Sequence, residues 1–278
     1  MKIAVLADAH IGTEKPVFVP NWEKVVSHVN ERSDIDLIVV LGDLTLDGAK
    51  LDADRAFGRD AIAALRAPVL VLPGNHDVGD IARDTLQPAD NDRLAQWEKH
   101  FGPWHWHSDA VDGWRLLGVN SQILATGLPE ESAQWSSLEQ AAEGRGERKL
   151  ALFSHMPLFL EHWDEPDRPA WAIPAPARQR LRLLIEEHAI KAVIVGHIHR
   201  VLDRRCEGGP AFIWAAASSF LTHDESMPPQ HGKELLGYTV LDFRQDEVVS
   251  EFVAVEALMK SYIEDYKGSI YRSPAKDA

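Results

Sequence analysis

Val69-Leu70-Val71-Leu72-Pro73-Gly74-Asn75-His76-Asp77 is a short apolar run that breaks directly into a polar turn. An apolar run without alternation suits a strand buried on both faces. Gly, Asn and Asp favour tight turns, so the tetrapeptide on its own needs no further explanation. The same grammar recurs elsewhere in the chain. Ile3-Ala4-Val5-Leu6-Ala7 runs into Asp8-Ala9-His10, and Leu37-Ile38-Val39-Val40-Leu41 runs into Gly42-Asp43. Leu150-Ala151-Leu152-Phe153 runs into Ser154-His155, and Ala192-Val193-Ile194-Val195 runs into Gly196-His197-Ile198-His199.

Helical patterns lie between several of these runs. Trp22, Val25, Val26 and Val29 fall at i, i+3, i+4, i+7, the spacing of one apolar helix face, and Leu181, Leu184, Ile185 and His188 repeat it. Ala53, Ala56 and Phe57 mark a further helix, and residues 132–142 another with Ser132 as its cap. Residues 104–109 and 114–119 read as a hairpin turning at Asp112-Gly113. Residues 211–216, 236–243 and 248–255 add strands toward the C-terminus. The order is βαβα first and β later. About nine or ten strands are too many for one twisted sheet, so two packed sheets with helices outside are expected. Residues 1–255 form one domain in this reading, and 256–278 a C-terminal helix or tail that could act as a lid or an oligomer contact. Residues 161–176 and 218–233 read as long loops, a length that points to function or disorder.

The 278 residues carry 29 Lys+Arg against 43 Asp+Glu, a formal charge of −14, which argues against a nucleic-acid binder that relies on a broad basic face. Hydrophobic residues at 45% and charged ones at 26% are ordinary globular values. Cys206 is the only cysteine, so no intrachain disulfide can form, and it reads as a structural residue. The apolar run at residues 3–7 is too short for a signal peptide, and no stretch reaches the ~20 apolar residues of a membrane span. A cytoplasmic protein is the expectation.

In open α/β sheets, ligands bind at the carboxyl ends of strands, where all five polar clusters stand. Their Asp, His and Asn side chains suit Mn, Fe, Zn, Co or Ni better than Ca. Each cluster alone is weak: Asp8-x-His10 is by itself a capped strand end. Two His at i, i+2 in Gly196-His197-x-His199 say more, and the joint occurrence of all five in order says most.

Together, Asp8-x-His10, Gly42-Asp43, Gly74-Asn75-His76-Asp77, Ser154-His155 and Gly196-His197-x-His199 resemble the calcineurin-like metallophosphoesterase superfamily. In length, in Gly42-Asp43-Leu44-Thr45-x-x-Gly48 and in the Asn75-His76 pair, the chain looks most like its bacterial cyclic-nucleotide phosphodiesterases. The resemblance implies a four-layer α/β/β/α sandwich of two mixed sheets with two transition-metal ions at the strand ends. It implies that Asp8, His10, Asp43 and His199 hold one ion, that Asp43, Asn75, His155 and His197 hold the other, and that Asp43 bridges them. It implies that His76 faces the substrate phosphate with Asp77 helping to orient it, and that a hydroxide shared by the metals attacks phosphorus in line.

The expected activity is hydrolysis of small phosphodiesters, cyclic nucleotides or glycerophosphodiester-like compounds. The alternatives are a phosphomonoesterase or pyrophosphatase on a nucleotide or lipid precursor, and a non-catalytic scaffold. The expected partner is a small phosphoester; a homo-oligomer stays open. Loop position makes His162, Trp163, Arg168 and Trp171 candidate substrate contacts, with the aromatic pair beside Arg168 suited to a flat group. His223, in the second long loop, is a further candidate. Asn120 stands where many relatives carry Asp, a departure expected to touch only a secondary loop contact.

Overall fold

The computed structural model describes residues 1–205, 207–223, 228, 231–266 and 268–270. Cys206 and parts of the loop at 218–233 lie outside the described residues. Two mixed sheets carry the fold. In the first, β1 (Lys2–Leu6), β2 (Leu37–Leu41) and β3 (Val69–Leu72) run parallel. In the second, β4 (Trp106–Ser108) lies antiparallel to β5 (Trp114–Val119), which runs parallel to β6 (Lys149–Ser154) and β7 (Ala192–Val195). The antiparallel edge strand β8 (Leu202–Arg205) pairs with β9 (Ala211–Trp214), itself parallel to β7. The first sheet is completed by β10 (Gly237–Phe243), antiparallel to β1, and β11 (Val248–Ala254).

Period-two geometry explains the sandwich. Successive side chains of a strand point to opposite faces. Ile3, Val5, Val39 and Leu41 of the first sheet thus meet Leu116, Ala151, Phe153, Ile194 and Ile213 of the second in one core. Ala4, Leu6, Ile38 and Val40 face outward, where α1 (Val19–Glu31) covers them with Trp22, Val25, Val26 and Val29. The helix α2 (Asp52–Ile62) adds Phe57 to this layer. After the short α3 (Asn75–Val78), α4 (Asn91–Phe101) contributes Leu94 and Trp97. On the other side, α5 (Pro129–Glu143) and α6 (Ala175–Glu187) pack Trp135, Leu138, Leu181 and Ile185 on Leu117, Leu150, Leu152 and Val193. Runs apolar at every position are what two buried faces per strand demand.

Several local expectations need correction. α5 begins at Pro129, not at Ser132, because Glu131 already accepts the backbone N–H groups of Ala125, Thr126 and Gly127 at 2.6–3.1 Å. Residues 104–109 shorten to the edge strand β4, whose Trp106 indole donates to the Val71 carbonyl of the other sheet at 2.9 Å. α4 and β8 were not anticipated. Beyond β11, the described part of the C-terminal segment includes a 3-10 turn at Ile263–Tyr266. Asn21 pins it by exchanging hydrogen bonds with Met259, and Leu221 bridges to Tyr262. Among the described residues, no helix is long and apolar enough to cross a membrane.

Phe153 is fully buried between the sheets. Phe153→Ala should lower stability by about 3–5 kcal/mol, read as a lower urea midpoint at unchanged m-value. An unmoved midpoint would contradict this description of the core.

Candidate metal centre

The five polar clusters all follow parallel strands, so their side chains gather at one edge of the sandwich. Backbone hydrogen bonds zip these loops together: Asp8 N–H to Gly42 O at 3.1 Å, His10 N–H to Asp43 O at 2.9 Å, and Gly196 N–H to His155 O at 2.9 Å. Asp8, His10, Asp43, His197 and His199 all adopt positive φ, between 47° and 69°. Left-handed backbone at a non-Gly residue costs of order 1–3 kcal/mol, less for Asp and His than for bulkier types. The strain falls on the residues that converge. Gly42, at φ +81°, takes the same conformation, and a Cβ there would stand 2.3 Å from His155 Nδ1. A Cβ on Gly74 would stand 2.2 Å from Asp43 Oδ1, so both glycines let backbone pass close behind ligand-type groups.

Asp43 Oδ2 lies 3.3 Å from His155 Nε2 and 3.7 Å from His10 Nε2, which makes it central to the group. His199 Nε2 is 3.6 Å from Asp8 Oδ1 and 3.3 Å from His10 Nε2. His197 Nδ1 is 3.2 Å from His155 Nε2. Asp8, His10 and His199 could hold one ion, and Asp43, His155 and His197 another. Asn75 Oδ1 is a buried acceptor with no hydrogen-bond partner, as an oxygen reserved for a cation would be.

Carbonyl oxygens set the imidazoles. His155 Nδ1 donates to Leu41 O at 2.9 Å, His199 Nδ1 to Phe220 O at 2.7 Å, and His197 Nε2 to Ala170 O at 3.0 Å. A carbonyl only accepts, so each of these nitrogens carries the proton. The opposite nitrogens present lone pairs, and those of His155 and His197 face each other. Such a pair needs a proton or a metal ion between it. The donor set therefore fits a metal.

The electrostatics agree. Burial raises Asp8 to about 8, partly offset by His155. Burial also pushes Asp43 up, but His155 and His76 outweigh it and hold that carboxyl well below its usual range. Burial alone would lower His155, yet Asp43 carries it up to about 9. Burial takes His199 down to about 4, and burial with His155 takes His197 to about 3, so both stay neutral ligands at ordinary pH.

His76 sits edge-on to His10 with ring centroids 4.6 Å apart. Its Nδ1 donates to Leu46 O at 2.7 Å and its backbone N–H to Asp43 Oδ1 at 2.8 Å. Asp77 acts on the backbone around His76. The Asp77 carboxylate accepts from Gly74 N–H at 2.9 Å, Thr45 N–H at 2.9 Å and the Thr45 hydroxyl at 2.6 Å. It ties the turn after β3 to the loop after β2 from behind, fully buried.

A cleft of about 210 Å³ opens beside the cluster, with Asn75 and His197 in its wall. The five loop candidates do not line it. Trp163 packs on Phe159 and Phe212, with Arg182 over its ring. Trp171 packs against the outer core of the second sheet. His162 is exposed, Arg168 turns the loop through its carbonyl, and His223 stacks on Tyr262 with centroids 3.8 Å apart. Their neighbours Pro169 and Ala170 form the wall instead, together with Asp80 and Gln122, which sequence reasoning passed over. The signal for Gln122 was available: β5 is parallel to β6, so Asn120-Ser121-Gln122 leaves the sheet at the same edge as Ser154-His155. Asp80 had no signal beyond its distance along the chain from Asn75.

The chain is 28% identical over 215 residues to the 3',5'-cyclic adenosine monophosphate phosphodiesterase CpdA of Escherichia coli (strain K12), covering 73% of this chain and 71% of that one. It is 24% identical over 204 residues to the serine/threonine-protein phosphatase CPPED1 of Pongo abelii, covering 71% of this chain and 59% of that protein. The purple acid phosphatase PPD1 from yellow lupin seeds has the same fold, with a TM-score of 0.66 at 13% identity over 94% of this chain and 54% of that one. The family model of the calcineurin-like phosphoesterases matches residues 1–201. The chain belongs to the calcineurin-like phosphoesterase family and is a metal-dependent phosphoester hydrolase.

Proposed function

We propose that this protein hydrolyses small phosphodiesters, cyclic nucleotides or glycerophosphodiester-like compounds, at a two-metal centre. Asp8, His10, Asp43 and His199 would hold one transition-metal ion, and Asp43, Asn75, His155 and His197 the other. The observation that carries this reading is the opposed pair of lone pairs on His155 and His197, 3.2 Å apart beside Asp43, with both rings locked by carbonyl bonds. Mixed imidazole and carboxylate donors suit Mn, Fe, Zn, Co or Ni. Bound cations of this kind supply a nucleophilic hydroxide near neutral pH and draw charge from the phosphoryl oxygens.

The chain's own residues do the rest. Asp43, central to the cluster, offers the anionic bridge that two close cations need. Leu46 O keeps the proton on His76 Nδ1, which leaves the catalytic role to Nε2. From there it can stabilise a phosphoryl oxygen or protonate the leaving alcohol. Asp77 holds His76 in place only indirectly, by fixing the backbone of residues 44–45 against Gly74.

The lining of the cleft supports the choice of a diester over a monoester. Among the described residues no Lys or Arg is in its wall to add to the charge of the metals, while Ile81, Met156 and Pro169 offer apolar contact to an alcohol group. Similarity to a protein named as a phosphatase supports the second reading, a phosphomonoesterase or pyrophosphatase.

Bis(4-nitrophenyl) phosphate should be cleaved faster than 4-nitrophenyl phosphate, and a monoester rate far above the diester rate would overturn the preference. EDTA should abolish activity. It should also lower Tm by roughly 5–10 °C, since loss of a ligand present at about 100 Kd removes about 2.7 kcal/mol. Unchanged activity after chelation would refute metal dependence.

His76→Ala should keep its metal content and lose a factor on the order of 10²–10⁴ in kcat, whereas Asp43→Ala should lose metal, measured by elemental analysis. Full activity of the His76 variant on a poor leaving group would remove that residue from the mechanism.

A further inference from the structure

Gln122 is buried at the cleft wall, on the 3-10 turn Ser121–Ile123 that follows β5. Its backbone N–H donates to Asn120 Oδ1 at 2.9 Å, and its side-chain amide Nε2 to Ser121 Oγ at 3.2 Å. Ser121 Oγ is itself held by Met156 N–H at 3.1 Å, so the amide is fixed from its nitrogen side. Gln122 Oε1 has no hydrogen-bond partner. A buried carbonyl acceptor left unmatched is destabilising, and a ligand that donates to it removes that cost.

The other ionisable group in this wall apart from His197 points to the same chemistry. Asp80 offers carboxylate oxygens, which accept hydrogen bonds from the side chains of Thr85 and Asn75. Gln122 Oε1 and Asp80 both accept and neither donates through those oxygens. Ile81, Met156 and Pro169 supply apolar surface between them for a carbon skeleton.

From this geometry, and resting on the diesterase reading above, we propose that Gln122 is a specificity-determining residue. Its Oε1, seconded by Asp80, accepts a hydrogen bond from a free hydroxyl on one alcohol half of the diester. A substrate lacking that hydroxyl leaves the carbonyl unmatched and reacts more slowly. A polar site discriminates against a missing donor far better than an apolar pocket discriminates by size.

The test compares 4-nitrophenyl 3-hydroxypropyl phosphate with 4-nitrophenyl propyl phosphate. Both release 4-nitrophenolate, so they differ only in the hydroxyl. The metal-loaded wild type should favour the hydroxylated ester in kcat/KM by on the order of tenfold. Gln122→Met should bring the ratio to within about twofold, and Gln122→Glu, which keeps an acceptor, should retain a preference. A wild type that cleaves both esters equally overturns the proposal even if the Met variant fails to fold. A Met variant with the wild-type ratio overturns it as well. A wild type that cleaves neither ester, nor bis(4-nitrophenyl) phosphate, removes the diesterase reading itself, which keeps the two failures distinct.

Discussion

Two imidazole lone pairs and a carboxylate meet at one point at the edge of the cleft, and they cannot rest there without positive charge between them. His155 and His197 are held face to face because each has given its proton to a backbone carbonyl, of Leu41 and of Ala170. Asp43 stands 3.3 Å from the first of them. Without metal, a shared proton is the remaining source of positive charge, and Asp43 accordingly raises His155 to about 9 against the effect of burial. A metal ion does the same work with higher charge and needs no protonated ring. The structure is arranged around that demand, and the strained backbone is part of the arrangement.

Parallel strands put their carboxyl ends at one edge, but an extended chain would carry the next side chains onward rather than inward. Left-handed residues at Asp8, His10, Asp43, His197 and His199 turn the chain sharply enough to aim side chains at a common centre. The cost is tolerated because the strands behind them are locked in apolar cores on both faces. The C-terminal segment joins in through a chain of rings: Tyr266 meets Phe18, Phe18 meets Phe220, and Phe220 stacks on His199 with centroids 4.1 Å apart. The Phe220 carbonyl also fixes the His199 tautomer, so one residue packs the ring and orients it.

Much of this was legible in residue order. Apolar runs such as residues 37–41 and 150–153 gave both the strands and the need for two cores, because no polar position was left to face water. The five ligand clusters were legible because each follows its run immediately. What could not be read was set by carbonyl oxygens. Any residue can offer one, so nothing in the sequence marks Leu46 rather than Asp77 as the group that orients His76. Distant side chains set others: His28 meets the Tyr238 hydroxyl at 3.0 Å and His100 the Asp52 carboxylate at 2.8 Å. Nearness in sequence misled for the loop at 161–176: aromatic and charged residues suggested substrate contact, but Trp163 spends its ring on Phe159 and Phe212, and the cleft is walled by Pro169 and Ala170.

The central claim is that one carboxylate joins two cations in this pocket. Electron paramagnetic resonance of protein reconstituted with Mn²⁺ tests it most directly, since two ions bridged at ~3.5–4 Å couple their spins. The account expects an exchange-coupled pair at two equivalents per chain. Isolated, uncoupled Mn²⁺ at saturation, or no tightly held ion, would contradict it.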